Sequence, residues 1–134
     1  MLQSKKLPRL AITLGDPSGI GPEVVLKALA DPMLHQNSDL TIIGSDRILQ
    51  QTYQQLQNQG FSSAKLDKLQ VINLDPDPSL PPLKIGVGNQ TSGAISFQYL
   101  DTAIDRTLQG EFDGIITGPI AKNLWNLAGY DYPG

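Results

Sequence analysis

The sequence predicts an α/β fold built on a parallel sheet. Short apolar runs alternate along the chain with longer stretches whose apolar residues recur at helical spacing. The apolar runs end in Gly, Ser or Gly-Pro, the punctuation of a strand-to-helix turn. A helical stretch stands between successive strands, as the crossovers of parallel pairing require.

RLAITL (9–14) reads as the first buried strand, ended by Gly15. Pro22 suits the first turn of the helix that follows, where its missing N–H costs nothing. Val24, Val25, Leu26, Ala28 and Leu29 cover one face, and Asp31-Pro32 stops the helix. PMLHQNSD then reads as a polar loop containing the only histidine, His35, which is expected to be exposed. LTIIGS (40–45) is the second strand. A helix over 46–60 carries Ile48, Leu49, Tyr53 and Leu56 on one face, with Gly60 as its cap. LQVINL (69–74) is the third strand. DPDPSLPP (75–82) has four prolines and reads as an extended linker, and 84–91 as irregular. The longest helical pattern spans 92–110, with an N-cap expected at Thr91 or Ser92. FDGIITG (112–118) is the fourth strand, and Pro119 is expected to start a last helix ending near Gly129. The final Pro-Gly is a turn signal, so an incomplete chain is expected.

Composition narrows the function classes. With 40% hydrophobic residues in 134, the chain can build the core of one globular domain. Net charge is -3 and no basic run exceeds Lys5-Lys6, which argues against a nucleic-acid surface. Absence of cysteine removes disulfides and thiol nucleophiles. The apolar run near the N-terminus is short and carries a charge, unlike a signal peptide, and no stretch approaches the ~20 apolar residues of a membrane span. The expectation is a cytoplasmic protein with neither a membrane nor a nucleic-acid partner.

Two loops concentrate chemically useful residues at the carboxyl ends of predicted strands, where open α/β sheets bind ligands. The first is LGDPSGIGPE (14–23). It is not a Walker loop, because Ile20 follows Gly19 and no lysine appears before Lys27. Gly19-Ile20-Gly21 gives half of a dinucleotide fingerprint, but Val24 stands where the third glycine belongs. A helix N-terminus attracts anions, whereas Asp16 and Glu23 oppose a bare phosphate there. Those acids could bind hydroxyls or a cationic ring, or satisfy the helix end. A plain turn demanding a positive φ at glycine is the competing reading. The second loop, TGPIAK (117–122), offers a hydroxyl at Thr117, close backbone approach at Gly118 and a cation at Lys122, which is otherwise an ordinary surface lysine. The cleft-wall candidates are therefore Gly15, Asp16, Gly19, Gly21, Glu23, Thr117, Gly118 and Lys122. No catalytic residue and no metal ligand is placed. Ser92-Gly93 lacks the nucleophile-elbow pattern and a paired histidine.

ITLGDPSGIGPEVVLKAL, ITGPI-x-K and the later AG-x-x-x-PG resemble, in order and spacing, the amino-terminal part of the 4-hydroxythreonine-4-phosphate dehydrogenase family of pyridoxal phosphate biosynthesis. The resemblance implies a fold similar to isocitrate and isopropylmalate dehydrogenases, incomplete here. It implies oxidation of the hydroxyl of 4-phosphohydroxy-L-threonine by NAD or NADP, followed by decarboxylation, in a homodimer that holds a divalent metal through histidines. In that family the segment after the Pro-Gly contributes a His and a Thr to substrate binding, and the metal histidines and phosphate-binding Lys, Asn and Arg lie further on. His35 matches none of them. The resemblance thus implies that these 134 residues bind neither cofactor tightly and lack activity alone. Two other readings stand beside it: an independent α/β module binding a phosphorylated small molecule, and a half-domain with an exposed sheet edge that self-associates.

Overall fold

The structure, a computed structural model, describes residues 6–132. The terminal Pro133-Gly134 turn and Lys5 of the basic pair lie outside the described residues. Four parallel strands form one sheet in the order β3-β2-β1-β4: β1 (Arg9–Thr13), β2 (Asp39–Gly44), β3 (Gln70–Asn73) and β4 (Gly114–Thr117). The helices are α1 (Gly21–Ala28), α2 (Pro32–Asn37), α3 (Asp46–Asn58), α4 (Gln90–Leu108) and α5 (Lys122–Leu127), with a 3-10 turn at Leu66–Lys68. The predicted parallel α/β class is the observed one, with β1, β3 and β4 shorter at their ends by one or two residues and β2 shifted by one.

The strand order has a consequence for function. The chain moves outward from β1 to β2 to β3, then returns across the sheet to place β4 on the far side of β1. Right-handed crossovers put the outward connections on one face and the return on the other. The contacts agree: α1 packs on α3, while α4 packs on β1, β2 and β4 and carries α5 against it. The connections leaving β1 and β4 therefore part to opposite faces, which makes their carboxyl ends the topological switch point of the sheet. Leu14, Leu26, Ile42, Ile43, Leu49 and Tyr99 are buried in the core. Burial pushes the Tyr99 phenol up, and its hydroxyl has no partner among the described residues.

Three local expectations are corrected. Residues 32–37 form a helix, not a loop, because the Asp31-Pro32 pair that ends α1 also starts α2: the Asp31 carboxylate accepts from Met33 N at 2.9 Å, and Pro32 takes the first turn. His35 sits on this helix and donates from Nε2 to Leu29 O at 2.7 Å. The cap of α4 is Asn89, which accepts from Ser92 N while Ser92 Oγ accepts from Asn89 N, each at 2.9 Å. Helix α5 begins at Lys122 rather than Pro119. Segment 118–121 is held away from helical geometry because Gly118 N donates to Thr13 O (2.7 Å) and Pro119 O accepts from Asp16 N (2.9 Å).

Candidate functional site

The two sequence loops meet at the switch point, and their backbones close it. Besides the bonds from Gly118 and Asp16, the Cα of Gly15 faces the Gly118–Pro119 backbone, and a Cβ there would lie 2.7 Å from Gly118 C. A Cβ on Gly118 would lie 2.5 Å from Leu14 O, and one on Gly21 would run into the same carbonyl. Gly15 also has a φ of +73°, a left-handed conformation that favours glycine. Three of the motif glycines thus allow main chain to lie against main chain. Gly19 is different: it is exposed, with no side chain or backbone crowding it.

The acids of the first loop are committed to protein partners. Asp16 is buried, 7% exposed. Its Oδ1 accepts from Ser18 N (2.9 Å) and Ser18 Oγ (2.6 Å), and its Oδ2 from Ser92 Oγ (3.1 Å) near the start of α4. No cation pairs with it among the described residues; three donors and the positive end of a 19-residue helix compensate its burial. Gly88 passes 3.5 Å from Asp16 Oδ2 by the position of its absent Cβ, and Gly86 N donates to Ser18 O at 2.6 Å. Asp16 thus ties the first loop to α4, and Ser18 ties it to the 84–88 segment. Glu23 instead pairs with Lys27 at 2.9 Å on the surface of α1. The groups left facing solvent are Gly19, Ile20, Thr117 and Lys122, the last without an ion-pair partner among the described residues.

These residues define what the site can do. At the start of α1, Gly21 is buried against Leu14 O and Pro22 has no N–H, so this helix end does not offer the amide cradle of a dinucleotide loop. No group of three or more His, Cys, Asp or Glu that could hold a metal occurs among the described residues. The residues present therefore do not fit a divalent metal, and no chemical step can be assigned through one. Thr117 and Lys122, on either side of the Gly118–Pro119 contact with the first loop, leave a hydroxyl and an amine exposed to solvent.

Sequence reasoning missed Ser18, Ser92 and Gly88 as parts of this node. Asn89-x-x-Ser92 carried a capping signal, but nothing local announces that Ser92 reaches Asp16. Residues 75–82 are the irregular connection expected, and Pro76, Pro78, Pro81 and Pro82 in it also wall a cavity of about 270 Å³ against Ile48 and Ile95. Asp75 anchors that wall: Ser45 Oγ and Asn73 Nδ2 both donate to it, and these bonds hold its carboxyl below the usual carboxylate range.

Known proteins match this geometry. Residues 33–134 match the family described as pyridoxal phosphate biosynthetic protein PdxA. A 4-hydroxythreonine-4-phosphate dehydrogenase of Synechocystis sp. is 54% identical over 130 residues, and one of Nostoc sp. 50% over 133. These alignments take in 96% and 97% of this chain, which spans 37% of the length of each of those relatives. The crystal structure of a 4-hydroxythreonine-4-phosphate dehydrogenase from Burkholderia phymatum superposes with a TM-score of 0.81 at 27% identity, covering 97% of this chain and 42% of that one. The chain belongs to the PdxA family of pyridoxal phosphate biosynthetic proteins.

Proposed function

We propose that this chain supplies the amino-terminal portion of an NAD- or NADP-dependent dehydrogenase that oxidises 4-phosphohydroxy-L-threonine, with decarboxylation, in pyridoxal phosphate biosynthesis. The observation that carries this reading is the junction of the two motif loops at the switch point, in a chain 54% identical to a relative bearing that activity in its name. The role of these residues is to form one wall of the cleft. Thr117 and Lys122 stand at its rim, where an ammonium can meet an anionic group of substrate or cofactor, and Gly19 leaves room for close approach. Gly15, Gly21 and Gly118 join the wall to itself, and Asp16 ties it to α4.

Removing hydride from a secondary alcohol requires a group that manages the developing alkoxide. No such cluster occurs among the described residues, so a divalent metal and the clamp for the substrate phosphate come from outside them. The same reading assigns a homodimer and a cytoplasmic setting. It is compatible with a set of described helices none of which is long and apolar enough to cross a membrane.

The test is a single polypeptide in which this chain is continued by the remaining, carboxyl-terminal part of the Synechocystis relative. With 4-phosphohydroxy-L-threonine, a divalent metal and NAD or NADP, reduced nucleotide should accumulate, and the 134-residue chain alone should produce none. A folded chimera without turnover, beside an active intact relative, rejects the proposal.

A further inference from the structure

A cavity of about 620 Å³ lies between α2 and the 3-10 turn that leads into β3, at the amino end of the sheet and away from the loop junction. Its ionisable lining is His35, Lys65 and Lys68, and no aspartate or glutamate lines it. Among the described residues neither lysine has an ion-pair partner. Lys27, by contrast, is committed to Glu23 (2.9 Å) and to the face of Phe61 (4.2 Å). The acids nearest in sequence do not neutralise the cavity. Asp31 accepts from Met33 N, Asp39 accepts from Gln70 Nε2 (2.7 Å), and Asp67 lies outside the lining.

The two sides of this cavity are fixed to the end of α1. His35 Nε2 donates to Leu29 O (2.7 Å), and Ala64 N donates to Leu26 O (2.9 Å). These bonds satisfy carbonyls at the negative end of the helix, which would otherwise oppose an anion. The 3-10 turn is closed by Lys68 N on Lys65 O (3.1 Å), and such a turn brings positions three apart to one side. Two like charges therefore line one cavity in a chain whose net charge is -3. Ser63 lines it too, and its Oγ is closed off from solvent with no hydrogen-bond partner among the described residues. A buried hydroxyl left so is destabilising until a ligand takes up its hydrogen bond.

We propose that this cavity binds a small phosphomonoester with an apolar body. Lys65 and Lys68 hold the phosphate as point charges, Ser63 donates a directed hydrogen bond, and Leu29 and Leu69 meet the apolar part. A phosphomonoester carries about two negative charges at neutral pH, which matches the two lysines, whereas a carboxylate carries one. The site is separate from the wall at the carboxyl ends of β1 and β4 and does not depend on the dehydrogenase reading.

The test is lysine footprinting of the 134-residue chain and of the chimera, with phenyl phosphate as probe and potassium chloride at equal ionic strength as reference. Phenyl phosphate should slow acetylation of Lys65 and Lys68 saturably, by at least about fivefold, and leave Lys6 and Lys27 within about twofold. Ser63→Ala should leave the urea midpoint unchanged, because the hydroxyl has no partner to lose. The same variant should raise the half-saturating concentration about tenfold, the scale of one hydrogen bond to a charged group. Uniform slowing of all lysines, protection no greater than in chloride, or an unchanged half-saturating concentration in Ser63→Ala overturns the proposal. Where chain and chimera differ, the chimera decides. Turnover without protection of Lys65 and Lys68 rejects this site alone; protection without turnover rejects only the dehydrogenase reading.

Discussion

The seam between β2 and β3 and the seam between β1 and β4 do the same job by different means. At the carboxyl end of β2 and β3, side chains make the connection: Ser45 caps α3 and donates to Asp75, Asn73 binds both Asp46 N and Asp75, and Leu74 N alone reaches across by backbone to Gly44 O (2.6 Å). At the carboxyl end of β1 and β4, main chain touches main chain through Gly15, Gly21 and Gly118. Side-chain links are separable, since each can be lost while the others persist. Backbone contact leaves no flexible atom to yield. The β1–β4 seam should therefore tolerate almost nothing, and the β2–β3 seam should weaken by increments.

The sharpest break is Gly118→Ala. Its new methyl would press on Leu14 O, Leu14 C and Thr13 O, all backbone. We expect a loss of about 3 kcal/mol, read from the urea midpoint of the chain or of the chimera. Gly60→Ala is the control: its φ is +78°, but nothing lies within 4 Å, so only the conformational cost of about 1 kcal/mol should appear. Equal losses at the two positions would refute the packing argument.

Next comes Asp16→Ala, which strands the hydroxyl of Ser18 at a buried node and leaves that of Ser92 only Asn89 O as acceptor. The expected loss is about 2 kcal/mol, with hydrogen exchange accelerated at the start of α4. The sequence left open whether Asp16 meets a ligand or satisfies protein groups, and the structure turns its carboxylate inward onto Ser18 and Ser92. The strands and most helices were legible because apolar period is a local property. The partners of Asp16 were not, because Ser92 lies 76 residues away and its own sequence signal points only to a helix cap. In the same way, Pro119 carries the mark of a helix start, and the mark misleads because a bond to Asp16 pins the carbonyl of Pro119. Asp31-Pro32 was read correctly as a stop, but one dipeptide can both end a helix and begin the next.

Asp75→Asn probes the other seam and should cost less, about 1 kcal/mol, since the capping and backbone links remain. The pH dependence has a definite sign. The folded state holds the Asp75 carboxyl below its ordinary value, so its contribution is complete above about pH 4 and is lost as pH falls through the lower, folded value. Wild type should thus lose part of its advantage over Asp75→Asn on acidification below about pH 4. An advantage that stays constant down to pH 2 would show that the bonds from Ser45 and Asn73 do not select the ionised form.

Lys122→Ala should have the smallest effect on stability and separates the wall's structure from its chemistry. Its amine is exposed and has no ion-pair partner among the described residues, so truncation should change the unfolding free energy by less than about 0.5 kcal/mol. The residue nevertheless opens α5 directly after the segment that seals the β1–β4 seam, which places it at the rim of the closed switch point. If that rim meets an anionic group, the same variant in the chimera should raise KM for 4-phosphohydroxy-L-threonine or for the nucleotide at least about tenfold, the scale of one lost charged hydrogen bond. Arginine at this position should restore part of the loss, because it keeps the charge while changing the geometry. Unchanged kinetics in the alanine variant would leave the β1–β4 seam as a purely structural closure and move the ligand to another part of the family's sheet.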